Sequence, residues 1–149
     1  MTEPYDLHAA IGYQITLFSR INERRFEQGL NALGLTRVTW CILLSAGQQG
    51  LANPSDIAAF IGIDRTATSR GLKRLEADRL ITRASGDADR RTTEVALTEH
   101  GKAILQRANE CASENAEYFN SKLSWYERDM LTTILAKLLA GETRDVKGL

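Results

Sequence analysis

The sequence is poor in the residues that catalysis, metal binding and redox chemistry need. Among 149 residues there are two cysteines, Cys41 and Cys111, and two histidines, His8 and His100. Two isolated cysteines make neither a disulfide framework nor a paired-thiolate metal motif. Two scattered histidines supply no triad and no ligand spacing. No enzymatic activity, no cofactor and no metal site are therefore expected. Long apolar runs are also missing. The longest, around "CILL", is far too short to span a bilayer, and the opening "MTEPYD" is acidic and polar rather than export-like. A cytoplasmic protein with no membrane partner is the expectation. Net charge is absent too: 19 basic residues balance 19 acidic ones. That excludes a uniformly polybasic nucleic-acid binder but leaves room for a local basic patch.

What is present is ordinary apolar content, 43%, and helical periodicity in a chain of single-domain length. Residues 5–30 carry Leu7, Ile11, Ile15, Phe18, Ile21 and Phe26 at helical intervals. Gly34 breaks that helix and Thr36 can cap a second, Arg37 to Ala46, apolar on nearly every side and so predicted to be the buried central element. Asn53-Pro54 is an N-cap followed by proline at the first helical position and opens a short third helix that stops at Gly62. Asp64 caps a fourth, "RTATSRGLKRLEAD". Thr98 begins a long fifth helix to about Lys122. Ser124 and Glu127 form an S-x-x-E capping box for a sixth with a leucine-rich stripe. Between the fourth and fifth helices, "LITR" and "TTEVALT" read as two strands. The alternation of Thr93, Val95 and Leu97 against Thr92, Glu94 and Ala96 is that of a half-buried hairpin.

The third and fourth helices are separated by a turn with Ala58 four residues before Gly62, the small residues that two crossed helices in tight contact require. On the fourth, Thr68, Leu72 and Leu75 share an inward face with Gly71 beside them. Arg65, Thr66, Ser69, Arg70 and Lys73 lie opposite, a set of donors and small hydroxyls suited to base edges and phosphates in a major groove. A solvated amphipathic helix would carry a similar face. The hairpin adds a second basic feature, Arg90 and Arg91 among the turn formers Gly86, Asp87 and Asp89. From Asp64 to Arg91, eight Arg or Lys stand against five Asp or Glu, a local charge of +3 in a neutral chain. Beside a helix in the major groove, such a hairpin reaches the flanking minor groove, whose negative potential favours arginine. Asp89 can hold the Arg91 guanidinium in a bidentate pair and orient it.

Over nearly its whole length the sequence resembles the MarR family of winged helix-turn-helix regulators. The resemblance is carried by "LGLT" before the second helix, "IGIDRTATSRGLKRLEADRLITR", "DADRRTTEVALTEHG" and the leucine-rich final helix. It implies a mainly α fold with a small β-hairpin wing: a winged helix-turn-helix core over about residues 36–97, flanked by dimerisation helices at about 5–32 and 98–140. It implies DNA contacts by Arg65, Thr66, Ser69 and Arg70, with Arg91 as the wing-tip arginine and Asp89 as its partner. Three positions depart from the pattern. Gly71 stands for a large aliphatic residue, at a helix-propensity cost of about 1 kcal/mol. Thr68 stands for a buried aliphatic, and Arg79 for a glycine. Dimerisation has support beyond the resemblance, because Tyr118, Phe119, Leu123, Leu131, Leu135 and Leu138 would bury well against a second copy.

The resemblance also implies a homodimeric repressor, bound to double-stranded DNA at a pseudo-palindrome and released by a small aromatic or phenolic effector in a cleft between the two regions. His8, Ile11, Tyr13 and Arg20 of the first helix and Trp40, Cys41 and Leu44 of the second are the candidate lining. Each also reads as a packing residue, Trp40 as an anchor and Arg20, with Arg24 and Arg25, as part of a solvated face. Cys41 reads as an inert buried thiol. A redox- or metal-responsive regulator of the same fold, or a winged helix used for protein contacts, are the alternatives.

Overall fold

Side-chain caps set most of the helix boundaries. The computed structural model describes residues 3–85 and 93–143. Within them the elements run α1 (Ile11–Asn31), α2 (Arg37–Gly47), α3 (Pro54–Ile61), α4 (Arg65–Ala77), β1 (Ile81–Ser85), β2 (Thr93–Leu97), α5 (Glu99–Asn120) and α6 (Trp125–Leu139). Thr36 accepts from Thr39 N at 3.2 Å while its own N–H donates to Thr39 Oγ1 at 2.8 Å, a reciprocal cap that starts α2. The Ser124–Glu127 box does the same for α6. Asn53 and Asp64 cap α3 and α4 as their sequence positions suggest.

The first helix begins later than its periodicity indicates, at Ile11 rather than near residue 5. Asp6 is the reason. Its Oδ1 accepts from the backbone N–H of His8 (3.0 Å) and Ala9 (3.2 Å), closing a local turn that competes with the helix for those donors. The first strand is offset by a residue, because Leu80 N donates back to Leu75 O at 2.9 Å and still belongs to the exit from α4. The strands pair antiparallel from Ile81↔Leu97 to Ser85↔Thr93.

The α2 helix is the centre of the core, as its all-round apolarity predicted. Ile42 and Leu43 are fully buried, and α1, α3, α4, α5 and β2 all pack on this helix. Its neighbours contribute Leu30, Ile57, Leu72, Leu75, Ile81, Val95, Leu105 and Ala108. Burial of each large aliphatic side chain here contributes about 1.5–3 kcal/mol. An ion pair between Arg37 and Glu23 fastens the first turn of α2 to α1. By contrast, α6 contributes no buried residue.

Two close contacts fix how α4 and α5 sit. A Cβ on Gly71 would lie 2.4 Å from Ile42 Cδ1, so a side chain there would require the end of Ile42 to turn aside. At Gly101 a Cβ would lie 1.9 Å from the carbonyl oxygen of Leu80, closing the start of α5 onto the exit from α4. Between them Arg79 adopts φ 57°, the left-handed region in which a non-glycine side chain is strained.

These contacts give opposite expectations for two neighbouring substitutions. Arg79→Gly should raise the melting temperature, with a net gain of about 0.5–1 kcal/mol once glycine's larger unfolded-state entropy is subtracted. Gly101→Ala should lose about 2 kcal/mol or more, because the added methyl meets backbone and not a movable side chain. Thermal unfolding of both variants beside the parent checks this; an unchanged Gly101→Ala would show that the contact is not tight.

Candidate nucleic-acid interface

The turn between α3 and α4 is built by Gly62. Its φ of +78° is a left-handed conformation, and Gly62 N and Ile63 N both donate to Ala58 O, at 2.9 and 3.2 Å. Ala58 is buried at the crossing of the two helices. On α4, Thr68, Gly71, Leu72 and Leu75 face inward, as expected. Thr68 is tolerated in place of an aliphatic because its hydroxyl donates to Asp64 O at 2.9 Å within the helix. The departure at Gly71 also has its cause: Ile42 occupies the space a larger side chain would need.

Arg65, Thr66, Ser69, Arg70 and Lys73 are all exposed on the opposite face. The cations divide into two groups. Arg74 is paired with Asp78, and Arg83 with Glu76. Among the described residues, Arg65, Arg70 and Lys73 have no acidic partner. Thus α4 presents outward two hydroxyls and three positive charges that no described acid compensates, a face with donors to spare for an anionic surface.

The hairpin stands beside this face. Val95 N donates to Ala52 O at 2.8 Å, tying β2 to the segment that leads into α3. Arg83 Nε donates to Glu76 Oε2 at 3.0 Å and a second guanidinium nitrogen also reaches that oxygen, tying β1 to the last turn of α4. Pro54, Ser55, Arg65, Ser69, Arg83 and Thr93 border one groove between the helix pair and the strands, about 240 Å³ in volume. The strands end at Ser85 and Thr93, so Asp89, Arg90 and Arg91 lie outside the described residues. The Glu76–Arg83 tie was not legible in the sequence: it joins a helix to a strand, where neither periodicity applies.

A sequence model of the MarR family matches residues 33–92, from the approach to α2 to the residue before β2. The chain is 27% identical over 137 residues to the HTH-type transcriptional repressor NicR of Pseudomonas putida, covering 91% of this chain and 86% of that one. Among solved structures it superposes on the transcriptional repressor CouR bound to a 23-mer DNA duplex with a TM-score of 0.79 and 26% identity, covering 93% of this chain and 98% of that chain. BpsR of Bordetella bronchiseptica, whose DNA binding is regulated by 6-hydroxynicotinic acid, superposes with a TM-score of 0.82 at 23% identity, covering 94% and 100%. These superpositions show that the chain has the winged helix-turn-helix fold.

In this chain the seven candidate effector residues are not brought into one place. His8 precedes α1 and stands edge-on to Tyr13, ring centroids 5.1 Å apart. Tyr13 and Arg20 share a cavity of about 350 Å³ with Tyr5, Leu7, Gly12, Thr16 and Leu17. Ile11 is largely exposed and lies outside that lining. Trp40 is an anchor: it stacks edge-on with Phe26 at 4.9 Å and its Nε1 donates to Asn109 Oδ1 at 3.0 Å. Leu44 packs against the core. Burial pushes the half-buried Cys41 thiol up, a trend that Arg37 partly opposes. Among the described residues no group of three or more His, Cys, Asp or Glu is placed to hold a metal ion, and no helix is long and apolar enough to cross a membrane.

A cleft of about 980 Å³ lies between the end of α2, β2 and α5 and includes Gln48, Leu97, Leu105 and Asn109. Asn109 bridges it, accepting from Trp40 and donating to Gln48 Oε1 at 2.8 Å. Sequence reasoning missed Gln48 and Asn109, which are 61 residues apart and individually unremarkable polar positions.

Arg83 lowers the pKa of Glu76 chiefly by hydrogen bonding to its carboxylate. A depressed carboxyl contributes its tie at neutral pH and loses it as pH falls through that depressed value. In Arg83→Ala, Glu76 should therefore titrate higher, within the ordinary glutamate range, when followed by carboxyl-carbon NMR. No upward movement would mean that the tie does not persist in solution.

Proposed function

We propose that this protein is a homodimeric repressor that reads a pseudo-palindromic operator and is released by a small aromatic acid. The observation that carries the reading is the outward face of α4: unpaired Arg65, Arg70 and Lys73 interleaved with Thr66 and Ser69, next to a hairpin that leads to Arg90 and Arg91. On this reading α4 enters the major groove, Arg91, oriented by Asp89, enters the flanking minor groove, and the remaining cations neutralise phosphates.

Dimerisation is supported by uncovered apolar surface. On α6, Met130, Leu131, Ile134, Leu138 and Leu139 are 40–58% exposed, and on α1, Ile11, Ile15, Leu17, Phe18 and Ile21 are 41–70% exposed. Two helices that bury so little against their own chain leave a patch of the kind that marks a protein interface. A two-fold pair would set two recognition helices about 34–36 Å apart, one turn of duplex.

The effector class is supported by the cavity at the start of α1, where Tyr13 and its edge-on neighbour His8 offer aromatic contact and Arg20 a bidentate site for a carboxylate. It is also in keeping with the repressor activity of NicR and the response of BpsR to 6-hydroxynicotinic acid. A redox trigger at Cys41 is disfavoured, since a thiol whose pKa is pushed up by burial forms little thiolate.

Selection from a randomised duplex pool by the purified chain should enrich two inverted half-sites about one helical turn apart. Recovery of no two-fold site would remove the dimeric reading. On the selected duplex, Arg70→Ala and Arg91→Ala should each weaken binding and lower the slope of log K against log salt by about one, leaving the circular dichroism unchanged. Hydroxylated pyridine and benzoic acids should release the labelled duplex, and Arg20→Ala should blunt that release.

A further inference from the structure

The corner between α4 and α5 is tied more closely than a connection alone requires. Arg79 N donates to Glu76 O at 3.0 Å and Leu80 N to Leu75 O at 2.9 Å, wrapping the end of α4. The two carbonyls that follow are both taken up by one residue of the next segment. Thr98 Oγ1 donates to Arg79 O at 2.8 Å, and Thr98 N donates to Leu80 O at 3.0 Å. The same hydroxyl accepts from Gly101 N at 3.0 Å as the N-cap of α5. Gly101 then seats its bare Cα against the Leu80 carbonyl.

A cap needs only an acceptor. Elsewhere in this chain Asn53 and Asp64 cap helices with oxygens that accept and do nothing more. The donor half of the Thr98 hydroxyl is surplus to capping, and its recipient is the strained left-handed residue at the exit of α4. One side chain therefore holds the start of α5 and the end of α4 at a fixed angle.

We propose that Thr98 is a positioning residue for DNA reading: by locking that corner it fixes the orientation of α4 relative to α5 and so sets the half-site spacing the dimer accepts. This rests on the dimeric reading above. With the interface carried by α1, α5 and α6, the corner is the joint between the paired region and each α4. Moving one half-site by a single base pair displaces it about 3.4 Å along the duplex and turns it by about 35°. A stiff joint rejects that change, and a loose one follows it.

Two substitutions separate the halves of the hydroxyl. Thr98→Ser keeps both donor and acceptor, whereas Thr98→Asp keeps the cap and removes the donor. Each is measured, beside the parent, against the pool-selected duplex and against the same duplex with one base pair added or removed at its centre. The parent and Thr98→Ser should bind the selected spacing best. Thr98→Asp should lose about threefold or more of that discrimination, the scale of one net hydrogen bond. A defect confined to capping would instead weaken all three duplexes alike, and an unchanged ratio in Thr98→Asp overturns the proposal. If circular dichroism shows that Thr98→Asp does not fold, Thr98→Gly, which removes the donor and leaves a residue that helix N-caps accept, carries the test. Its discrimination should also fall, and an unchanged ratio again overturns the proposal. Failure of the parent to select any two-fold site is a different result, which removes the dimeric reading and this inference with it.

Discussion

The carbonyl oxygen of Leu80 is the point at which the two halves of the chain meet. Thr98 N donates to it and Gly101 faces it with no room for a side chain, so the first turn of α5 is held against the exit from α4. The hairpin leaves this corner and returns to it, and Arg79 is kept in a conformation its own side chain disfavours. Were the contact looser, the first turn of α5 would be positioned only by the packing of that helix on α1, α2 and β2.

The other fixed relation is between α4 and α2. Gly71 and Thr68, which look like weak choices inside a helix, are consequences of how close the two helices come. Ile42 fills the space above Gly71, and the Thr68 hydroxyl is absorbed by Asp64 O. With the inner face of α4 pinned in this way, helical geometry sends Arg65, Thr66, Ser69, Arg70 and Lys73 outward together. The composition of that outer face is thus free of packing constraint, and its charge is not explained by stability.

Most of the fold was legible because its boundaries are written locally. Thr36, Asn53-Pro54, Asp64, Thr98 and Ser124 each satisfy backbone donors within three residues, so a reader needs only short windows to find them. The miss at the start of α1 came from the same physics, since Asp6 offers the chain a turn that apolar periodicity does not register. Of the candidate site, the α4 face was legible from its two-sidedness. The Glu76–Arg83 tie, the Trp40–Asn109–Gln48 bridge and the Thr98–Arg79 bond were not. Each joins residues on different elements, 7 to 69 positions apart, and none of these residue types is unusual where it stands.

The unpaired cations on α4 have an energetic meaning of their own. Arg70 lies three residues from Lys73 and four from Arg74, so like charges are stacked along one side of the helix. Asp78 answers Arg74, but no described acid answers Arg65, Arg70 or Lys73. By itself the helix carries self-repulsion that an ordinary surface would have relieved with a glutamate. It is an element built short of counter-charge, and a polyanion laid along it would stabilise the protein as well as bind to it.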